Sequence, residues 1–224
     1  MSAYLPIDLQ IDVISDIVCP WCYIGKRQLE RAISAWRREN PRQPEPTLRW
    51  RPFQLNPEMP AAGMSRTAYL QMKFGSPDGG GRYERVLEAA RAVGLDLRLD
   101  AIPTQPNTLR PHGLIELAAD SGRQSALVEA FFHAYFIAGR DLCDEQTLRD
   151  IAISLGMTAG LVDAVLNEEP VTRLVAAADA ELREYGVSGV PLFIIGSDSG
   201  QRLAVSGAQG ADTLLQAMRQ VQAA

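Results

Sequence analysis

Cys19 and Cys22, separated by Pro20 and Trp21, stand where one hydrophobic period gives way to another, and no other feature constrains the chain as strongly. Ahead of the pair Ile7, Leu9, Ile11 and Val13 alternate with Asp8, Gln10 and Asp12, the two-residue period of a half-buried strand. Behind it Cys22, Leu29, Ile33 and Trp36 recur at helical spacing as far as Asn40-Pro41, where the residue before a proline is driven out of the helical region. A strand that feeds a helix through C-x-x-C puts the first sulfur where unpaired backbone N–H groups and the positive end of the helix dipole favour a thiolate. Cys19 is therefore expected to be the nucleophile, with a lowered pKa. Cys22, one turn further on, is expected to be the more buried thiol that attacks the mixed disulfide. Three residues on a helical turn bring the two sulfurs within bonding reach. Pro20 suits the first helical position, where its missing N–H costs nothing. Trp21 adds apolar surface and no positive charge, so the lowering should stop short of that in the strongest oxidases.

The rest of the chain divides by pattern. Thr47 to Phe53 reads as a second strand, Leu48 and Trp50 facing one way and Arg49 and Arg51 the other, with Pro52 marking an edge or bend. From Asn56 to about Leu166 strand patterns vanish and amphipathic helices follow one another, with apolar stripes that stop at Gly94, Gly139 and Gly156. A helix is expected from Pro170, burying Val171, Leu174, Val175, Ala178, Leu182 and Tyr185 and stopping at Gly186. Val190 to Ile195 reads as a buried strand, Ser197 to Gly200 as a turn, Leu203 to Val205 as a return strand, and Leu214, Leu215, Met218 and Val221 as one face of a closing helix. Pro191 at the mouth of that buried strand would forfeit a ladder hydrogen bond, which favours a specialised X–Pro bond there, cis included.

Composition narrows the function. Three cysteines among 224 residues cannot build a disulfide framework. Lys and Arg number 22 against 27 Asp and Glu, a net charge of −5 with no run of five like charges, which argues against a nucleic-acid partner. No stretch approaches the roughly 18 uncharged apolar residues that a membrane-spanning helix needs. Met1 to Asp12 has neither the basic start nor the apolar centre of a signal peptide, so a cytoplasmic location is expected. In that compartment the pair would rest largely reduced, and bulk disulfide formation is not expected.

Five segments in order, Asp16 to Arg27, Trp50 to Pro57, Pro106 to Leu109, Gly186 to Pro191 and Ser206 to Gln209, resemble the DsbA-like branch of the thioredoxin superfamily, the FrnE-type subfamily in particular. The resemblance spans nearly the whole chain. It implies an α/β protein, a thioredoxin fold with a large inserted all-helical domain: residues 1–56 with 167–224 form the discontinuous thioredoxin-like domain and 57–166 the insertion. It implies a protein disulfide oxidoreductase acting through Cys19 and Cys22 with Pro20 and Trp21 between them. It also implies a cis Val190–Pro191 bond beside the sulfurs, where the backbone pairs with a substrate peptide as an added strand. Partners would be protein or small-molecule thiols and disulfides, with no bound cofactor or metal and with glutathione as a candidate co-substrate. The oligomeric state stays open, a homodimer included. Some relatives carry a second cysteine pair near the C-terminus; residues 192–224 here contain no cysteine, so a relay between two pairs in one chain is absent.

Competing readings stand beside these. The C-x-x-C could be half of a zinc site completed by Cys143, His112, His133 or carboxylates, although no second C-x-x-C exists and the histidines lie 21 residues apart. Cys143, among Asp141, Asp144 and Glu145, is expected to be an inert thiol of raised pKa rather than a resolving cysteine. Asp16 is either a proton relay to Cys22 or a solvated turn or capping residue. His112 either lines the face opposite Cys19 or only ends a helix, and His133 reads as structural. Trp21, Tyr23, Met59, Met64, Met72 and Phe74 could offer an adaptable apolar surface to peptides, or could pack the insert onto the rest. The rival functions are a glutathione-dependent isomerase or kappa-type glutathione transferase, which typically place serine at the first site position, and a client-holding chaperone module.

Overall fold

The computed structural model describes residues 8–167, 169–197 and 200–223. Ile7 of the expected first strand and Asp198 and Ser199 of the expected turn lie outside the described residues. The chain opens with β1 (Leu9–Ser15), α1 (Pro20–Glu39) and β2 (Thr47–Pro52). β1 and β2 run parallel with Val13 opposite Trp50, a pairing that requires a crossover, and the 20-residue α1 supplies it. The middle of the chain holds β3 (Met64–Ser65), α2 (Arg66–Phe74), α3 (Glu84–Ala92), β4 (Thr104–Gln105), α4 (Leu109–Leu117), α5 (Gln124–Phe136), α6 (Glu145–Ser154), α7 (Ala159–Asn167) and α8 (Glu169–Glu184). β5 (Leu192–Ser197), β6 (Arg202–Ser206) and α9 (Ala211–Gln222) complete it.

The four-stranded sheet has the order β2-β1-β5-β6, with β5 antiparallel to both neighbours, so residues far apart in sequence build one sheet. Pro52 sits at the end of an edge strand, where a missing N–H costs no ladder bond. Alternation along β1 sends Leu9, Ile11 and Val13 into the main core with Trp36 of α1, Phe193 of β5 and Met218 of α9. Ile14, on the other face, joins Phe53 and Leu182 in a second, smaller cluster. The long helical interruption between strand-bearing ends is what the sequence patterns led one to expect, and the α/β fold with a thioredoxin-like sheet is what the family resemblance implied. β3 and β4 pair over two residues each, too short to leave a periodic trace. Gly94, Gly139, Gly156 and Gly186 all take positive φ at the helix stops expected of them.

The buried face of α8 differs from the apolar stripe in the sequence. Val175 and Leu182 are buried, but Leu174 and Tyr185 are 63% and 79% exposed. The inward position is held instead by Asp179, whose carboxylate accepts the Gln54 backbone N–H at 2.9 Å and pairs with Arg183 at 3.0 Å. Satisfying that buried amide fixes the rotation of the helix and turns Leu174 to the surface.

A polar clamp joins α1 to α5. The Tyr23 ring stacks on Phe132 at 4.8 Å, and its hydroxyl donates to Glu129 Oε1 at 2.9 Å. Lys26, buried at 5% exposure, donates to Glu129 Oε2 at 2.7 Å and also pairs with Glu30. The helix that carries the cysteines is thus anchored to the helical interruption by charge as well as by apolar packing.

Candidate active site

Local chain geometry sets the two sulfurs. Cys19 precedes α1 with an extended backbone (φ −96°, ψ 110°), and Pro20 takes the first helical position. The turn is closed by the Cys19 N–H donating to the Asp16 carbonyl and the Cys22 N–H donating to the Cys19 carbonyl, both at 3.0 Å. Both thiols are free. Cys19 Sγ lies 3.9 Å from the Val190 carbonyl oxygen, and the Val190–Pro191 bond is cis. A chain separation of 171 residues is thereby closed at the site.

Exposure barely separates the cysteines, at 5% for Cys19 and 2% for Cys22. Electrostatics does more. Burial pushes the Cys22 thiol well above the ordinary thiol range, and the adjacent Cys19, hydrogen-bonded to it, pushes further; the Ser15 hydroxyl and the Asp16 backbone pull the other way. Cys22 is a thiol that keeps its proton until something removes it.

Pro191 is held in place by Gly25. A Cβ at position 25 would come within 3.0 Å of Pro191 Cγ and 3.1 Å of Phe193 Cζ, so α1 reaches the proline only because no side chain intervenes. The Pro191 carbonyl accepts the Gly207 N–H at 2.8 Å, tying the loop to the end of β6. Gly25→Ala is expected to cost about 1–3 kcal/mol, the usual range for overpacking, and to lower exchange activity with it. Urea unfolding and the exchange assay check both.

Of the readings for Asp16, burial excludes the solvated turn: its exposure is 0%. Oδ2 accepts the Leu55 N–H at 2.8 Å, and Oδ1 lies 3.4 Å from His112 Nε2. His112, also buried, stands in the first turns of α4 against that carboxylate. His133 is exposed. Among the described residues no group of three His, Cys, Asp or Glu side chains gathers to hold a metal ion.

Cys143 lies in the connection between α5 and α6. Desolvation and the Asp141 charge lift its pKa to about 11, and Asp141 also accepts the Cys143 N–H at 2.8 Å while Asp144 caps α6. Trp21 and Leu55 show 38% and 36% exposure as apolar surface, and Met72 points outward at 68%. Met59 and Tyr69 are buried in a small cluster of the helical part with Met64 and Phe74 against them, the packing alternative. Ser15, Lys26 and Glu129 escaped the sequence reading; only the position of Ser15, at the end of an alternating strand, carried any signal.

Comparison with known proteins places this geometry. The family description "DSBA-like thioredoxin domain" matches residues 10–219. The probable DsbA oxidoreductase SCO1869 of Streptomyces coelicolor superposes with a TM-score of 0.81 at 30% identity, covering 96% of this chain and 90% of that one. The cytosolic disulfide reductase DsbM of Pseudomonas aeruginosa, solved with GSH, superposes at 0.63 with 16% identity over 96% of each chain. The Bacillus subtilis protein YwbO is 22% identical over 217 residues, 94% of this chain and 96% of its own.

Proposed function

We propose that this chain, which belongs to the DSBA-like thioredoxin domain family, exchanges disulfides through Cys19 and Cys22. The observation that carries the reading is the Cys19 sulfur at the start of α1, 3.9 Å from the Val190 carbonyl. Cys19 Sγ attacks one sulfur of a substrate disulfide, forms a mixed disulfide, and expels the other sulfur as a thiolate that takes a proton from solvent. Cys22 then loses its proton and attacks Cys19 Sγ, which releases the second substrate thiol and leaves the Cys19–Cys22 disulfide. Two electrons pass from the protein dithiol to the substrate; the reverse sequence oxidises a substrate dithiol. Pro20 and Trp21 shape the approach, and the backbone at Val190 and Pro191 aligns an extended peptide beside the sulfurs.

The second step needs a base, because Cys22 holds its proton tightly. Asp16, buried beside the pair, takes that proton in our reading and is steadied by the Leu55 N–H and by His112. Asp16→Asn keeps an oxygen for the Leu55 N–H but removes the base. The resolving step is expected to slow by roughly 100-fold and to lose its pH dependence below the range where Cys22 ionises unaided. Stopped-flow decay of a Cys19 mixed disulfide measures this, and an unchanged profile rejects the relay.

The substrates in this reading are protein or small-molecule thiols and disulfides in the cytoplasm. Glutathione is a candidate co-substrate, and the electrons reside on the two sulfurs without a bound cofactor. The relative DsbM bears GSH in its solved structure and is a cytosolic reductase, which supports this direction. Assignment to the FrnE type rests on the five ordered segments. Insulin reduction and dithiol oxidation, assayed with glutathione as the redox buffer, test the proposal.

A further inference from the structure

Arg66, the first residue of α2, is only 8% exposed, yet among the described residues no carboxylate pairs with it. Its Nη1 donates to Gln105 Oε1 and its Nη2 to Tyr83 Oη at 2.8 Å, and both acceptors are neutral. The Tyr69 and Tyr83 rings lie 5.4 and 5.6 Å from the guanidinium carbon, and Nε has no hydrogen-bond partner. Buried charges are ordinarily paired, because removing an ion from water costs several kcal/mol. Here two of five guanidinium N–H donors have acceptors, and the positive charge is not neutralised.

Beside Arg66 and Tyr83 lies a cavity of about 470 Å³ whose walls include Leu70, Leu87, Leu97 and Ile102. That volume falls in the range of small-molecule sites, and the combination of apolar wall and one cation is selective. Asp78 and Asp100 also border the cavity, both exposed. Asp78 is engaged by its own turn, through the Ser76 hydroxyl and the Gly80 N–H at 2.9 Å, and among the described residues no ion pair joins it to Arg66. The two acids disfavour a second negative charge toward the outside.

We propose that this cavity binds a small organic acid with one carboxylate on an apolar body, the Arg66 guanidinium holding the carboxylate. The second hydrogens of Nη1 and Nη2 supply donors for a two-point contact, the geometry in which arginine grips carboxylates best. The site goes beyond the exchange reading, and its occupancy is measured without any thiol chemistry.

Isothermal titration of the full-length reduced protein with 6-phenylhexanoate, 6-phenylhexanamide and octanedioate tests it. The monoacid is expected to bind roughly 10- to 100-fold tighter than the isosteric amide, as for a hydrogen-bonded charge, and tighter than the diacid. Arg66→Gln should erase the preference for acid over amide. Where that variant fails to give a native circular-dichroism spectrum, Leu99→Trp decides: Leu99 borders the cavity and carries no charge, and filling the cavity should weaken the acid at least about tenfold. Equal affinity for acid and amide, binding of neither, a preference that survives Arg66→Gln in a folded protein, or acid binding indifferent to Leu99→Trp overturns the proposal.

Discussion

Cys19→Ser is expected to reduce insulin no faster than the buffer thiols alone, a loss of roughly 1000-fold or more, because the reaction then lacks its attacking group. No third thiol can substitute: burial and Asp141 lift the Cys143 pKa to about 11, far above the working pH. Cys22→Ser should leave the first step intact and stop the second, so a covalent adduct with the substrate accumulates and is seen intact by non-reducing mass spectrometry. The pair of variants separates exchange from its rivals. A client-holding module would protect unfolding proteins equally well with both thiols changed to serine, and an isomerase using glutathione without redox turnover would tolerate Cys22→Ser. Loss in the first variant with trapping in the second fits neither.

Alkaline conditions are expected to destabilise the fold progressively between pH 8 and 11, since each group that the fold keeps protonated contributes up to about 1.4 kcal/mol per pH unit. Cys22 and the phenols of Tyr23 and Tyr135 all have folded-state pKa values raised first by burial. Tyr83 is raised as well, in a half-buried position that solvent screens. A raised folded value means that the unfolded chain ionises first. The stabilising contribution is complete below the unfolded value, about 8.5 for a thiol and about 10 for a phenol. It is lost as the pH climbs from there through the folded value. Urea midpoints at pH 8, 9, 10 and 11 should therefore fall, first with the slope of the two thiols of raised pKa, Cys22 and the partly buried Cys143, and then more steeply as the phenols join. Tyr135→Phe removes a hydroxyl whose hydrogen bonds, to Thr104 and Gln105, are both long at 3.3 Å; it should flatten the upper part of the curve. A midpoint constant to pH 11 would contradict the burial described for these groups.

Much of the scaffold could be seen in the sequence because it is carried by local patterns. The change from alternation to helical spacing at Cys19 is the junction of β1 and α1, and Asn40-Pro41 is where α1 stops. Leu48 and Trp50 likewise marked the inward side of β2. What escaped depends on charge in unexpected places. Lys26 and Glu30, four residues apart on α1, look like a solvated surface pair, yet Lys26 is buried because Glu129, 103 residues away, meets it. Asp179 displaced Leu174 from the inner face of α8 for a comparable reason, an amide of Gln54 that needed an acceptor. Asp16 was singled out by its nearness to Cys19, but its partners Leu55 and His112 lie 39 and 96 positions away, and no local pattern encodes them.

The account turns on one sulfur being the reactive one. Iodoacetamide labelling of the reduced native protein at pH 7, with peptide mapping by mass spectrometry before and after mild diamide, tests this most directly. Cys19 should be modified first, with Cys22 and Cys143 spared, and diamide should join positions 19 and 22 and abolish the labelling. Equal modification of Cys143 and Cys19, or oxidation that leaves 19 and 22 unjoined, would contradict it.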